Sequence, residues 1–129
     1  MATGITTNEY RKRLAKHAFN ETPTYPLAKI THMVFGDGGV DGEGELVYMD
    51  PDQTTLNSVL ATKALRSVDQ PDDYSVRGEG VLGVDELVGS EISEAGLIDE
   101  EGRLVGFRNF LPKTKDSDEE LAIKITLKF

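Results

Sequence analysis

Gly78, Gly80 and Gly83 stand at the G-x-G-x-x-G spacing at which backbone amides cradle a pyrophosphate. That chemistry needs a strand before the turn and a helix N-terminus after it. Here Glu79 puts a carboxylate inside the turn, no helical pattern follows Gly83 and no βαβ unit surrounds it, so the glycines predict a bulged or closely packed strand. A second constellation is acidic: Asp37, Asp41, Glu43 and Glu45, with Asp50 and Asp52 beyond, offer oxygen at alternate positions as a calcium loop does. An EF-hand begun at Asp37 would set Gly42 where its glycine belongs, but Gly39 where a ligand belongs and Tyr48 where the closing glutamate belongs. The expectation is a solvated loop that holds no metal and orders on a partner.

His17 and His32 have no serine, cysteine or aspartate at a spacing that suggests a triad. His17 falls at a helix end, where a cation suits the helix dipole, and His32 within an apolar strand. Carboxylate pairs abound, yet none has the apolar surroundings that raise a pKa for acid–base work. The chain has no cysteine, which excludes disulfides, thiolate nucleophiles and thiolate-bound metals. The residues therefore make no case for an enzyme or for a cofactor.

The elements that must carry these residues fit one domain spanning 1–129, a length that buries a real core without room for a second. Its net charge of −9 argues against a nucleic-acid partner, whose phosphates are bound by clustered Lys and Arg. No apolar run is long enough for a signal peptide or a membrane span, so synthesis in a cytosol without membrane insertion is expected. Charge is uneven: residues 1–29 hold Arg11, Lys12, Arg13, Lys16 and Lys29 against Glu9 and Glu21, while 30–129 hold nine basic residues against 21 acidic ones. A basic N-terminal segment of this kind suits docking on an acidic partner or on the acidic remainder of its own chain.

Thr6 and Glu9 form a capping-box pattern, and Tyr10, Leu14 and Ala18 then recur on one face, predicting a helix over 7–19 with the basic residues mostly off that stripe. Pro23 and Pro26 predict an extended linker to about residue 29. A strand covered on both faces is expected over 28–35, then a long, mobile, acidic Gly-rich loop over 36–52, within which 46–49 reads as a short strand. A helical turn at 54–60 follows, then strands at 63–68, 75–84, 91–99, 103–111 and 121–129. The last is the clearest, with Leu121, Ile123, Ile125, Leu127 and Phe129 alternating against Ala122, Lys124, Thr126 and Lys128. Asp99 to Gly102 suggests a hairpin closed by a left-handed glycine, with Leu97 facing Leu104 and Gly96 leaving room for a neighbouring backbone or ring. Glu94 would accept backbone donors or cap a neighbouring subunit.

The run Ile30 to Gly39, ITHMVFGDGG, the helix before it, the later ISEAGLIDEEGRLVGFRNF from Ile92 to Phe110 and the closing strand together resemble the N-terminal, baseplate-attachment domain of contractile-tailed phage tail fibre (tail-collar fibre) proteins. The likeness covers most of the chain; its most specific pieces are the Gly36-Asp37-Gly38 turn and the Glu94-x-Gly96-Leu97-x-Asp99-x-x-Gly102-x-Leu104 hairpin. It implies a structural virion protein of the tail baseplate, an adaptor or short fibre component. Its implied partners are a baseplate wedge protein, a longer fibre protein and copies of itself, a trimer among them. Chains of that family continue into a shaft; this one ends at Phe129, so a connector whose onward link is non-covalent is expected.

The expected fold is α+β, an N-terminal helix packed on an antiparallel sheet or sandwich. The residues expected to make structural contacts are Arg11, Arg13, Lys16, Asp37, Glu94, Gly96 and Phe129. The competing expectation is a host-surface recognition module binding calcium or glycan through the acidic loop, against which stand the absence of tryptophan and the modest count of nine Phe and Tyr.

Overall fold

The computed structural model describes residues 3–19 and 27–129. The elements are β1 (Ile5–Thr6), α1 (Asn8–Phe19), β2 (Ile30–Gly36), β3 (Val59–Ala64), β4 (Ser67–Asp69), β5 (Ser75–Leu82), β6 (Glu91–Asp99), β7 (Leu104–Thr114) and β8 (Leu121–Lys128). Antiparallel pairing gives one sheet ordered β1-β7-β6-β2-β3 and a second ordered β4-β5-β8. With its single helix the fold is α+β, dominated by strands. The linker expected at Pro23 and Pro26 lies outside the described residues.

The two sheets join at both sides. On one, Gly4 N–H donates to Thr126 O at 2.9 Å and Thr3 bridges Thr126, so the segment leading into β1 links β8 to β7. On the other, the chain leaves the first sheet at Leu65, whose N–H donates to Thr31 O, and enters the second at Arg66, whose N–H donates to Glu79 O. The result is a flattened barrel in which β3 and β4 remain the edge strands of their sheets. The expected strand at 63–68 is thus two strands in different sheets. Edge strands β3 and β4 are largely exposed and show no clean alternation, which is why the pattern there misled.

Between the sheets, Met33, Phe35, Leu82, Ile92, Ala95, Leu97, Val105, Phe110, Ile123, Ile125 and Leu127 form the main core. β8 supplies its middle residues to this core as its alternation predicted, while Leu121 is half-buried and Phe129 lies beyond the strand with 51% of its surface exposed. On the outer face of the larger sheet, Val34, Leu56, Leu104 and Phe107 form a second cluster. It is roofed by the stretch that was expected to hold a short strand and a helical turn. Neither forms: Leu46 makes only an isolated bridge to Val40, and residues 47–58 run without helix across the sheet before β3 begins at Val59.

Three local expectations are corrected. The cap of α1 is Thr7 rather than Thr6: Thr7 Oγ1 accepts Tyr10 N–H at 3.3 Å, while Thr6 belongs to β1 opposite Gly106. No residue of the helix is fully buried; Tyr10, Arg13 and Leu14 face inward and Ala18 is exposed. Leu97 does not face Leu104: a register shift between Leu97 and Ile98 sets Leu97 opposite Gly106 in the main core and Leu104 opposite Ile98 in the outer cluster. The turn itself forms as expected, with Gly102 at φ +83°.

Candidate functional site

At one end of the barrel, the Gly36-Asp37-Gly38 turn meets Glu94. The Glu94 side chain is completely buried, and its carboxylate accepts three backbone N–H groups: Gly38 at 2.9 Å, Asn57 at 2.9 Å and Ser58 at 2.7 Å. Asp37 N–H donates to Ser58 O and Asn57 Nδ2 donates to Gly38 O, so both ends of the 37–58 segment are tied to each other and to β6. Gly39 N–H donates to Ser93 Oγ beside them. A fully desolvated carboxylate can persist here because backbone donors replace its water. Farther along, Asn109 Nδ2 donates to Val47 O, pinning the segment's middle to β7. Of the two roles expected for Glu94, it fills the first within its own chain, and the loop expected to be mobile is tied to β6 at Gly38 and Gly39 and to β7 at Val47. Asp37 is exposed beside this clasp.

Gly96 lies on the same face of β6. A side-chain carbon there would stand 2.6 Å from Leu104 Cδ1 and 3.3 Å from Phe107 Cβ, so its bareness admits both outer-cluster residues. Gly78 and Gly80 are strand residues of β5, opposite Ile125 and Ile123, and a carbon on Gly80 would meet Met33 Sδ at 2.6 Å. The G-x-G-x-x-G spacing thus reflects close packing of β5 on the core.

The acids of the 36–52 loop do not converge. Asp41 Oδ1 accepts the N–H groups of Glu43 at 2.8 Å and Glu45 at 3.0 Å, closing a tip bounded by the Val40–Leu46 bridge. Among the described residues no three His, Asp or Glu side chains gather as metal ligands. His32 Nδ1 lies 2.7 Å from Thr31 Oγ1, a local contact within β2.

The other end of the barrel carries α1. Arg13, expected off the inward stripe, points in: its Nη1 lies 2.8 Å from Asp99 Oδ2, with the Asp99 side chain fully buried and that of Arg13 only 11% exposed. Burial pushes the Asp99 carboxyl up, but the N–H groups of Arg103 and Glu101 and the Arg13 guanidinium outweigh it and hold the group below its ordinary range. Tyr10 packs against the Phe129 ring at 5.4 Å between centroids, and its hydroxyl is pushed up by burial. Between α1, the 48–51 stretch and the end of β8 lies an open groove of about 630 Å³. Leu14, Tyr48, Met49 and Phe129 give it apolar walls, and Arg11 and Lys128 stand on it as cations. Lys16 is exposed on the helix and does not line it.

The seven expected contact residues therefore divide. Asp37, Glu94 and Gly96 belong to the clasp and outer cluster, Arg11 and Phe129 line the groove, Arg13 holds the helix to the hairpin turn, and Lys16 joins neither group. Sequence reasoning missed Tyr48 and Met49, an aromatic and an apolar residue flanked by acidic stretches, and missed Lys115. The last is buried, with Nζ donating to Val84 O at 3.1 Å and Asp116 O at 2.7 Å, and so ties two loops together. No family model matches this chain, and no curated protein matches it.

Proposed function

We propose that this protein is a structural component of a contractile phage or phage-like tail, attaching a fibre at the baseplate by shape and hydrophobic complementarity rather than by catalysis. One observation carries the reading. The two most specific pieces of the tail-fibre resemblance, the Gly36-Asp37-Gly38 turn and the hairpin that begins at Glu94, are more than 50 residues apart in the chain and meet in one hydrogen-bonded unit through Gly38 N–H and Glu94 Oε2. Motifs that make a single structural device are a sounder basis for a family reading than two coincident strings. The groove beside α1, with its exposed aromatic residues, supplies an attachment surface of the sort such a role needs.

On this reading the partners are a baseplate wedge protein, a longer fibre protein and further copies of the chain. Mixing purified protein with isolated baseplate and fibre components, and separately with host cells, tests it. Binding to a tail component and not to cells is expected. Binding to host envelopes, unaffected by removing tail components, would overturn it.

A further inference from the structure

We propose that the groove between α1, Tyr48–Pro51 and the end of β8 is a docking site for an acidic, apolar-bearing extended segment of a partner protein. This rests on the tail-attachment reading only for where that partner is found.

Charge is the argument for the occupant. The chain carries −9 overall, yet among the described residues no side chain lining this groove is acidic, and two are cationic, Arg11 and Lys128. Six other basic side chains, Arg13, Lys63, Arg66, Arg77, Arg103 and Lys124, are matched by carboxylates of their own chain within 4.0 Å. Arg11 has no such ion pair among the described residues, Lys128 makes none within that distance although its charge reaches the Asp72 carboxyl, and Asp52, next to the groove residue Pro51, turns its carboxylate to Asn8 Nδ2 at 2.7 Å. Two cations standing on an apolar groove in an otherwise acidic body are complementary to a negatively charged ligand.

The apolar walls define the rest of the ligand. Tyr48 is 77% exposed and Phe129 51%, and both line the groove with Leu14 and Met49. Exposed aromatic rings held on an ordered backbone bury large area at little entropic cost when a side chain enters between them. The frame is fixed before binding: Asn8 N–H donates to Pro51 O at 2.7 Å, Thr6 Oγ1 donates to Lys128 O at 3.3 Å and Phe129 N–H donates to Tyr74 O at 2.8 Å. A segment alternating carboxylate and aliphatic or aromatic side chains meets both requirements, whereas a basic or purely polar one meets neither.

The test uses the full chain and a short fluorescein-labelled peptide in which Glu alternates with Leu and Phe. A second peptide has Lys for Glu, and vesicles of phosphatidylserine and phosphatidylcholine serve as the other anionic probe. The Glu peptide is expected to bind, to weaken as salt rises, and to lose at least tenfold in affinity in Arg11→Glu/Lys128→Glu. The control Lys29→Glu/Lys113→Glu, with the same change in net charge at exposed sites outside the groove, should bind as wild type does, and circular dichroism of both variants should match the parent. Equal binding of the Lys peptide, absence of binding, or undiminished binding in the groove variant overturns the proposal, as does capture by vesicles without peptide binding. Baseplate components that still bind the groove variant would sink this site and leave the tail role standing; a wild-type protein that binds the Glu peptide and no tail component would do the reverse.

Discussion

Replacing Glu94 should release the whole 37–58 segment, and the size of the effect follows from its three bonds. Hydrogen bonds to a charged group contribute about 1.5–3 kcal/mol each, so three set a ceiling of roughly 5–9 kcal/mol. The loss is smaller than the ceiling because Asn57 and Ser58 are exposed, and water reaches their freed N–H groups once the carboxylate is gone. Glu94→Ala is therefore expected to cost about 3–4 kcal/mol, a large share of the 5–15 kcal/mol typical of a domain. Glu94→Gln keeps the shape and one acceptor oxygen. Placed where Oε2 lies, that oxygen still serves Gly38 and Ser58, while the amide nitrogen confronts the Asn57 N–H, and the cost falls to about 1–2 kcal/mol. Urea unfolding read by linear extrapolation gives both values, and hydrogen exchange at Gly38, Asn57 and Ser58 shows whether the loss is local. Were Glu94→Ala to lie within about 1 kcal/mol of wild type with those amides still protected, the clasp would not be what holds the segment.

Other perturbations test the remaining parts. Arg13→Ala leaves the Asp99 carboxylate buried without its ion partner and should cost about 3 kcal/mol by chemical denaturation, an effect far larger than Lys12→Ala on the exposed side of the helix. The depressed Asp99 carboxyl contributes stability that is present above its ordinary, unfolded range and is lost as pH falls through its lower folded value; melting temperature followed from pH 7 downward should fall in acid, and less steeply in Asp99→Asn. Gly96→Ala places a carbon 2.6 Å from Leu104 Cδ1 and should destabilise by about 1–3 kcal/mol, whereas Gly42→Ala, with open space around it, should be nearly neutral. Millimolar calcium should leave the melting temperature unchanged, since the loop acids point apart; a rise of several degrees would establish a cation site in the acidic loop.

The strands legible in the sequence are those with a dry face and a wet face, or with clear turn signals at both ends. β5 and β8 declare themselves by period-two alternation, β6, buried on both faces, by the turns that bound it, and the Asp99 to Gly102 turn by a glycine that must be left-handed. Legibility fails where the decisive partner is distant. Residues 47–58 look like a strand and a helical turn from local pattern, yet they are laid across a sheet by Glu94 and Asn109, side chains 36 to 62 positions away. Thr6 and Thr7 are equivalent caps by type, and pairing of Thr6 with Gly106 selects Thr7. Arg13 reads as a solvated charge because the hairpin turn that receives it comes 86 residues later. The groove is hidden for the same reason, being assembled from three separated segments of which only Arg11 and Phe129 were singled out beforehand.

The central claim is a place in a tail. Gold-labelled antibody against this protein, applied to intact particles made from the genome that encodes it and viewed by electron microscopy, tests that claim most directly. Label is expected at the baseplate, where fibres join the tail, and should disappear from particles lacking the gene. Particles that carry no label anywhere on the tail, with the protein recovered instead on host envelopes, would contradict the account.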